Sequence, residues 1–105
     1  MGDRACAQLW AEHWARRSYA DTLIRSKLLA KGFVGASVNN AIKHVGSGEG
    51  SEVERAHRVI RKEKMVGAAR FKRERLSRLL VSRGFDADLI EQVISDTLGP
   101  EYPNE

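Results

Sequence analysis

The phrase Leu28-Leu29-Ala30-Lys31-Gly32-Phe33 returns 52 residues later as Leu80-Val81-Ser82-Arg83-Gly84-Phe85. Each copy reads aliphatic, aliphatic, small, basic, glycine, phenylalanine. Glycine is the residue that ends a helix in the left-handed conformation, and an apolar residue just beyond it folds back onto the last turn. Each phrase therefore closes one helix and opens the next. The segments that follow also correspond, with Val38, Ala41 and Ile42 matching Ile90, Val93 and Ile94 at the same offset. One helical unit used twice in 105 residues predicts an all-α chain of two tandem three-helix repeats forming an elongated helical array.

Six helices are expected on periodicity and punctuation. The first, about 3–16, carries Cys6, Leu9, Trp10, His13 and Trp14 as an apolar stripe at helical spacing. Core packing accounts for the two tryptophans, with a partner-facing patch as the alternative. Ser18 and Asp21 read as a capping box for a second helix, about 19–31, which buries Ile24 and Leu28. A third, about 35–45, turns Val38, Ala41, Ile42 and Val45 inward. The run Gly46-Ser47-Gly48-Glu49-Gly50-Ser51 is a flexible linker by composition, and Ser51 caps a fourth helix, about 52–65. That helix puts Val53, Ala56 and Ile60 inward, with Val59 beside them, and Gly67 breaks it. A fifth, about 69–83, buries Leu76, Leu79 and Leu80. Asp86 caps a sixth, about 87–98, with Leu89, Ile90, Val93, Ile94 and Thr97 or Leu98 inward, and Gly99-Pro100 stops it. The domain division is residues 1–46 for the first repeat, 47–52 for the linker, 53–99 for the second repeat and 100–105 for a frayed tail.

Composition narrows the setting. No run approaches the roughly 18 apolar residues of a membrane span, so no membrane partner is expected. The single cysteine, Cys6, excludes an intramolecular disulfide and suits a reducing, cytoplasmic compartment; it reads as a small buried hydrophobe. The three histidines, His13, His44 and His57, stand apart with no cysteine or carboxylate at ligand spacing, which argues against zinc. The glycines at 46, 48 and 50 lack the preceding strand and following Lys-Ser/Thr of a phosphate loop. Asp86 and Asp88 sit at a helix start, where capping and the helix dipole account for them. No serine or cysteine has an identifiable base. The expectation is no catalysis and no cofactor.

The charge is where the information lies. The net charge of +4 conceals +8 over residues 54–83, with eleven Lys/Arg against three Asp/Glu, and −6 over residues 84–105. Such a polar molecule suits an oriented encounter with a charged partner. The fifth helix holds Arg70, Lys72, Arg73, Arg75 and Arg78, followed by Arg83. At 100° per residue, Arg75 and Arg78 lie about 60° apart on the side away from the leucines, with Phe71 on the same face. An aromatic ring among arginines stacks on a base or on a partner side chain. Arg55, Arg58, Arg61 and Lys62 of the fourth helix enlarge the patch, and Arg16, Arg17 and Arg25 form a smaller cluster in the first unit. The bland reading, a solvated helix face, stands beside these.

The string Trp14-Ala-Arg-Arg-Ser-Tyr-Ala-Asp-Thr-Leu-Ile-Arg-Ser-Lys-Leu-Leu-Ala-Lys-Gly-Phe33 resembles the repeat of RecX regulatory proteins. The run from Glu54 through Arg83-Gly84-Phe85-Asp86-Ala-Asp-Leu-Ile-Glu-Gln-Val-Ile94 is similar to that family's last repeat, and Asp3-Arg4-Ala5 to the start of its middle one. The resemblance covers about residues 3–98. It implies tandem three-helix repeats and a regulator that binds the RecA recombinase filament and restrains its recombination and ATPase activity in DNA repair. The family usually has three repeats and this chain holds two, so it resembles either the last two repeats or a shortened member. The partners expected are a RecA-type filament and single- or double-stranded DNA, met by a monomer. A direct DNA- or RNA-binding helical module is the alternative.

Overall fold

The computed structural model describes residues 3–48, 50–63 and 69–99. They form six helices: α1 (Asp3–Arg16), α2 (Asp21–Ala30), α3 (Gly35–Gly48), α4 (Glu52–Lys62), α5 (Ala69–Ser82) and α6 (Ala87–Leu98). No strand occurs among the described residues, and the chain is all-α. Gly67 and the tail 100–105 lie outside the described residues.

Helices α1, α2 and α3 pack together around Ala7, Ala11, Trp14, Ala15, Ile24, Leu28, Val38, Ala41 and Val45. Helices α4, α5 and α6 enclose a second cluster that includes Ala56, Ile60, Leu76, Leu80, Phe85, Ile90, Val93 and Ile94. Each fully buried Leu, Ile or Val in these clusters is worth about 1.5–3 kcal/mol relative to exposure. The two groups lie end to end in a body 59 × 20 × 20 Å.

Three helix ends share one closure. At the end of α2, Phe33 N–H donates to the Leu28 carbonyl and Gly32 N–H to that of Leu29, with Gly32 at φ +95°. At the end of α5, Phe85 N–H donates to Leu80 and Gly84 N–H to Val81, with Gly84 at φ +91°. The end of α1 repeats the pattern with a serine. Tyr19 N–H donates to Trp14, Ser18 N–H to Ala15, and Ser18 sits at φ +64°. This Schellman-type closure satisfies carbonyls that a helix end leaves open. A left-handed conformation costs a serine about 1–2 kcal/mol. Ser18 is therefore committed to closing α1 and does not cap α2, whose N-cap is Ala20 without a side-chain bond.

Other expectations shift for physical reasons. Helix α3 continues through Gly46, Ser47 and Gly48, and the Ser47 hydroxyl donates to the His44 carbonyl in its last turn. In α1 the alanines face inward instead of the large apolar residues. Ala7, Ala11 and Ala15 are fully buried with Trp14, while Leu9 and Trp10 are exposed and Cys6 is half-buried. Small side chains let α3 approach closely, and Gln8 and Asn40 tie the two helices at 2.6 Å. The caps at Ser51 and Asp86 form as expected, each accepting from the backbone N–H three residues on.

The two groups join where the α1–α2 turn meets α4 and the α5–α6 turn. Ala20, at the start of α2, belongs to the second cluster, and its N–H donates to the Arg83 carbonyl at 2.9 Å. A Cβ on Gly84 would stand 2.6 Å from that of Leu23. At that junction only glycine fits, both for its φ and for the approach of α2.

Candidate interface for an anionic partner

Helix α5 separates its residues sharply by face. Leu76 and Leu80 are fully buried, and Phe71 on the far side is 56% exposed. Arg75 and Arg78, four and seven residues on from Phe71, are exposed on that same side. The Arg70 guanidinium lies 5.1 Å from the centre of the Phe71 ring, so cation and ring are already stacked. Arg75 reaches Glu63 at the end of α4 at 3.4 Å. This is a surface pair of small energetic weight that leaves the guanidinium open to solvent. Between α5 and α6 runs an open groove of about 700 Å³. Arg70, Arg73 and Arg78 line it with Glu74 and Glu91, over Ile90 and Ile94. The arrangement supplies bidentate donors, one aromatic plate and an apolar floor, which suits an anionic group carried on a larger body.

The remaining basic positions divide into those that meet solvent and those that hold the fold together. Arg55 is the clearest correction: it is fully buried. Its Nη2 donates to Asp21 Oδ1 at 2.6 Å, its Nη1 to the Tyr19 carbonyl at 2.6 Å and its Nε to the Gly50 carbonyl at 3.2 Å. A fork of five donors fits this junction, where two carbonyls and a carboxylate converge. Arg58 is half-buried and donates to the Ala15 carbonyl at 3.2 Å. Arg83 donates to the Arg17 carbonyl at 2.6 Å and lies 5.7 Å from the Tyr19 ring. Arg73 is half-buried with a bond to the Gly99 carbonyl at the end of α6, where a cation complements the helix dipole. These four arginines spend some or all of their donors inside the molecule.

Arg61, Arg16 and Arg17 are exposed, and Lys72 is half-buried. Arg25 is exposed and donates to Asn39 at 2.5 Å. Arg61 lines a separate shallow hollow with Gly48, Gly50, Glu54, His57 and Arg58, in which His57 stands 3.9 Å from Asp96. The structure therefore brings Arg70, Phe71, Arg75 and Arg78 together on one face and disperses the rest.

The junction beside Arg55 also holds Glu52, the one group among the described residues with a clear shift in acidity. Burial pushes the Glu52 carboxyl above the usual carboxylate range, and the neighbouring Asp21 and Asp86 charges add to this. The bond it accepts from Asp21 N–H at 3.0 Å and the Arg55 charge oppose the shift.

A second cluster was not legible from charge. Lys31 lies 3.9 Å above the Trp10 ring, and Lys27 stands 5.8 Å from Trp14 and 5.6 Å from Tyr19. Trp10 stacks on Trp14 with ring centres 5.2 Å apart. The signal for it was the spacing of four between the tryptophans and between the lysines. Among the described residues, no group of three His, Cys, Asp or Glu is gathered as a metal ion would need, and no helix is long and apolar enough to cross a membrane. Comparison of the chain with family models, curated proteins and solved structures gives no match.

Proposed function

We propose that this chain is a non-enzymatic cytoplasmic regulator of the RecX type, two tandem repeats long, that binds a RecA-type recombinase filament and restrains its ATPase and recombination activity. The observation that carries the reading is the exposed Arg70–Phe71–Arg75–Arg78 face on a narrow body 59 Å long. A rod of this shape can lie along a groove and present a single helix face to acidic protein surface or to phosphate. The sequence resemblance to RecX repeats supplies the identity of the filament. Co-sedimentation with RecA on single-stranded DNA tests the reading, together with the rate of ATP hydrolysis by the filament. Binding and slowed hydrolysis at micromolar protein support it, and the absence of both rejects it.

The solvent-facing Phe71 ring among arginines favours a second reading, a helical module that binds DNA or RNA directly. That reading requires affinity for naked nucleic acid that falls steeply with salt, because phosphate contacts release counterions. Binding seen only when RecA is present rejects it.

A further inference from the structure

The groove between α5 and α6 carries charges of both signs. Along its α5 wall Arg70, Glu74 and Arg78 stand on successive turns, cation, carboxylate, cation, over about 12 Å of helix axis. Glu91 lines the α6 wall, and α6 also holds Asp88 and Asp96 but no Lys or Arg. Arg73, the other cation of the groove, is turned to the Gly99 carbonyl. Glu74, Arg78 and Glu91 are exposed and make no ion pair with any described residue. Between the walls Val81, 61% exposed, and Ala87 continue the apolar strip of Ile90 and Ile94.

This order of charges separates two kinds of anionic partner. A nucleic-acid strand carries a phosphate about every 3.4 Å of helix axis. Laid along the wall from Arg70 to Arg78, such a strand brings phosphate over Glu74 as well, with Glu91 facing it from the other wall. Like charges set opposite each other weaken a complex and exclude wrong partners. A polypeptide carries both signs and can answer each charge in turn. We infer that the groove receives an amphipathic helix of a partner protein, its apolar ridge seated over Ile90 and Ile94. Its flank on the α5 side runs carboxylate, cation, carboxylate to meet Arg70, Glu74 and Arg78, and a cation on its other flank meets Glu91. A helix is favoured over an extended segment by the backbone. Helices α5 and α6 spend most of their own N–H and C=O groups internally, so an extended chain would lay unpaired polar groups on an apolar floor. A helix arrives with its backbone satisfied, as in other helix-in-groove complexes. The 14 residues of α5 span about 21 Å, room for about four turns of such a partner.

Fluorescence anisotropy with the full chain and labelled probes tests the inference. The first probe is a synthetic helix of about four turns with a leucine ridge, Glu, Lys and Glu on successive turns of one flank, and Lys on the other. The second keeps the ridge and exchanges every sign. The third is an oligothymidylate of similar length. The first should bind at least about tenfold more tightly than either of the others. Glu74→Arg, at an exposed position, should weaken the first probe about fivefold, and replacing the probe's central lysine by glutamate should restore binding. Loss of fold in the variant would not be rescued by a change in the probe. Undetectable binding of the first helix, equal binding of the two helices, an oligothymidylate that binds as tightly as the first helix, or no rescue overturns the inference. The pairing rests on the proposal that α5 meets a protein partner, but no probe contains the recombinase. Failure here therefore leaves co-sedimentation with the filament to be judged separately, and loss of co-sedimentation leaves the probe result standing.

Discussion

Replacing Arg55 by alanine tests how the two helix groups are joined. The guanidinium is fully buried and spans the junction, bonding α4's own N-terminal approach at Gly50 and the α1–α2 turn at Tyr19 and Asp21. Its loss leaves two carbonyls and a carboxylate without their donor. Hydrogen bonds to a charged group are each worth about 1.5–3 kcal/mol, and removing one partner of a buried ion pair costs about 3–5 kcal/mol. Asp21 keeps 33% of its side chain in solvent, so its charge rehydrates once the cation is gone. That places the loss at the low end, about 3 kcal/mol. For a chain of this length the unfolding entropy is about 0.22 kcal/mol/K, so the melting temperature should fall by roughly 14 °C. Thermal unfolding followed by far-UV circular dichroism reads the shift. Arg61→Ala on the same helix, exposed, is the comparison and should change stability by no more than about 0.5 kcal/mol. If Arg55→Ala came within about 1 kcal/mol of Arg61→Ala, the account of Arg55 as the tie between the groups would be wrong.

Two further predictions concern the same junction. Gly32→Ala and Gly84→Ala both force alanine into positive φ, at about 1 kcal/mol, but only at Gly84 would the new Cβ meet another residue, Leu23 at 2.6 Å. Denaturant titration should show Gly84→Ala losing about 1–3 kcal/mol more than Gly32→Ala, and equal losses would refute the close approach. Glu52→Gln keeps an acceptor for Asp21 N–H and removes the buried charge. Since the pKa of Glu52 is raised in the folded state, chiefly by burial, its contribution is most favourable below the ordinary carboxylate range and is lost as pH rises through the raised value. Glu52→Gln should therefore be more stable than the parent at neutral pH, with the difference shrinking on acidification; a constant difference across pH would contradict this.

Much of the architecture was written locally. The Gly32-Phe33 and Gly84-Phe85 turns, the Ser51 and Asp86 caps and the inward Ile24, Leu28, Leu76 and Leu80 all follow from short-range rules, and the structure places them so. What escaped were features decided by partners far along the chain. The burial of Arg55 depends on Tyr19 and Asp21, 36 and 34 residues away. The inward face of α1 was misread because two stripes of similar period run along that helix. Large apolar residues weigh most in such a pattern, yet close packing against α3 selects the alanines. Ser18 escaped because serine mimics a cap, although Arg17-Ser18-Tyr19 is a third basic–small–aromatic closure. At the candidate interface, Phe71, Arg75 and Arg78 were legible from helical spacing alone. Charge counting could not separate them from Arg58, Arg73 and Arg83, whose donors turn inward.

The central proposal, that α5 offers its exposed cationic face to a recombinase filament, is tested most directly by charge reversal at fixed net charge. Arg75→Glu/Arg78→Glu is compared with Arg4→Glu/Lys43→Glu, two exposed cations on α1 and α3. Both are assayed by co-sedimentation with RecA assembled on single-stranded DNA. The proposal predicts that the α5 pair loses at least tenfold in affinity, about 1.4 kcal/mol, while the control pair binds nearly as well as the parent. Equal binding by the two double variants would contradict it.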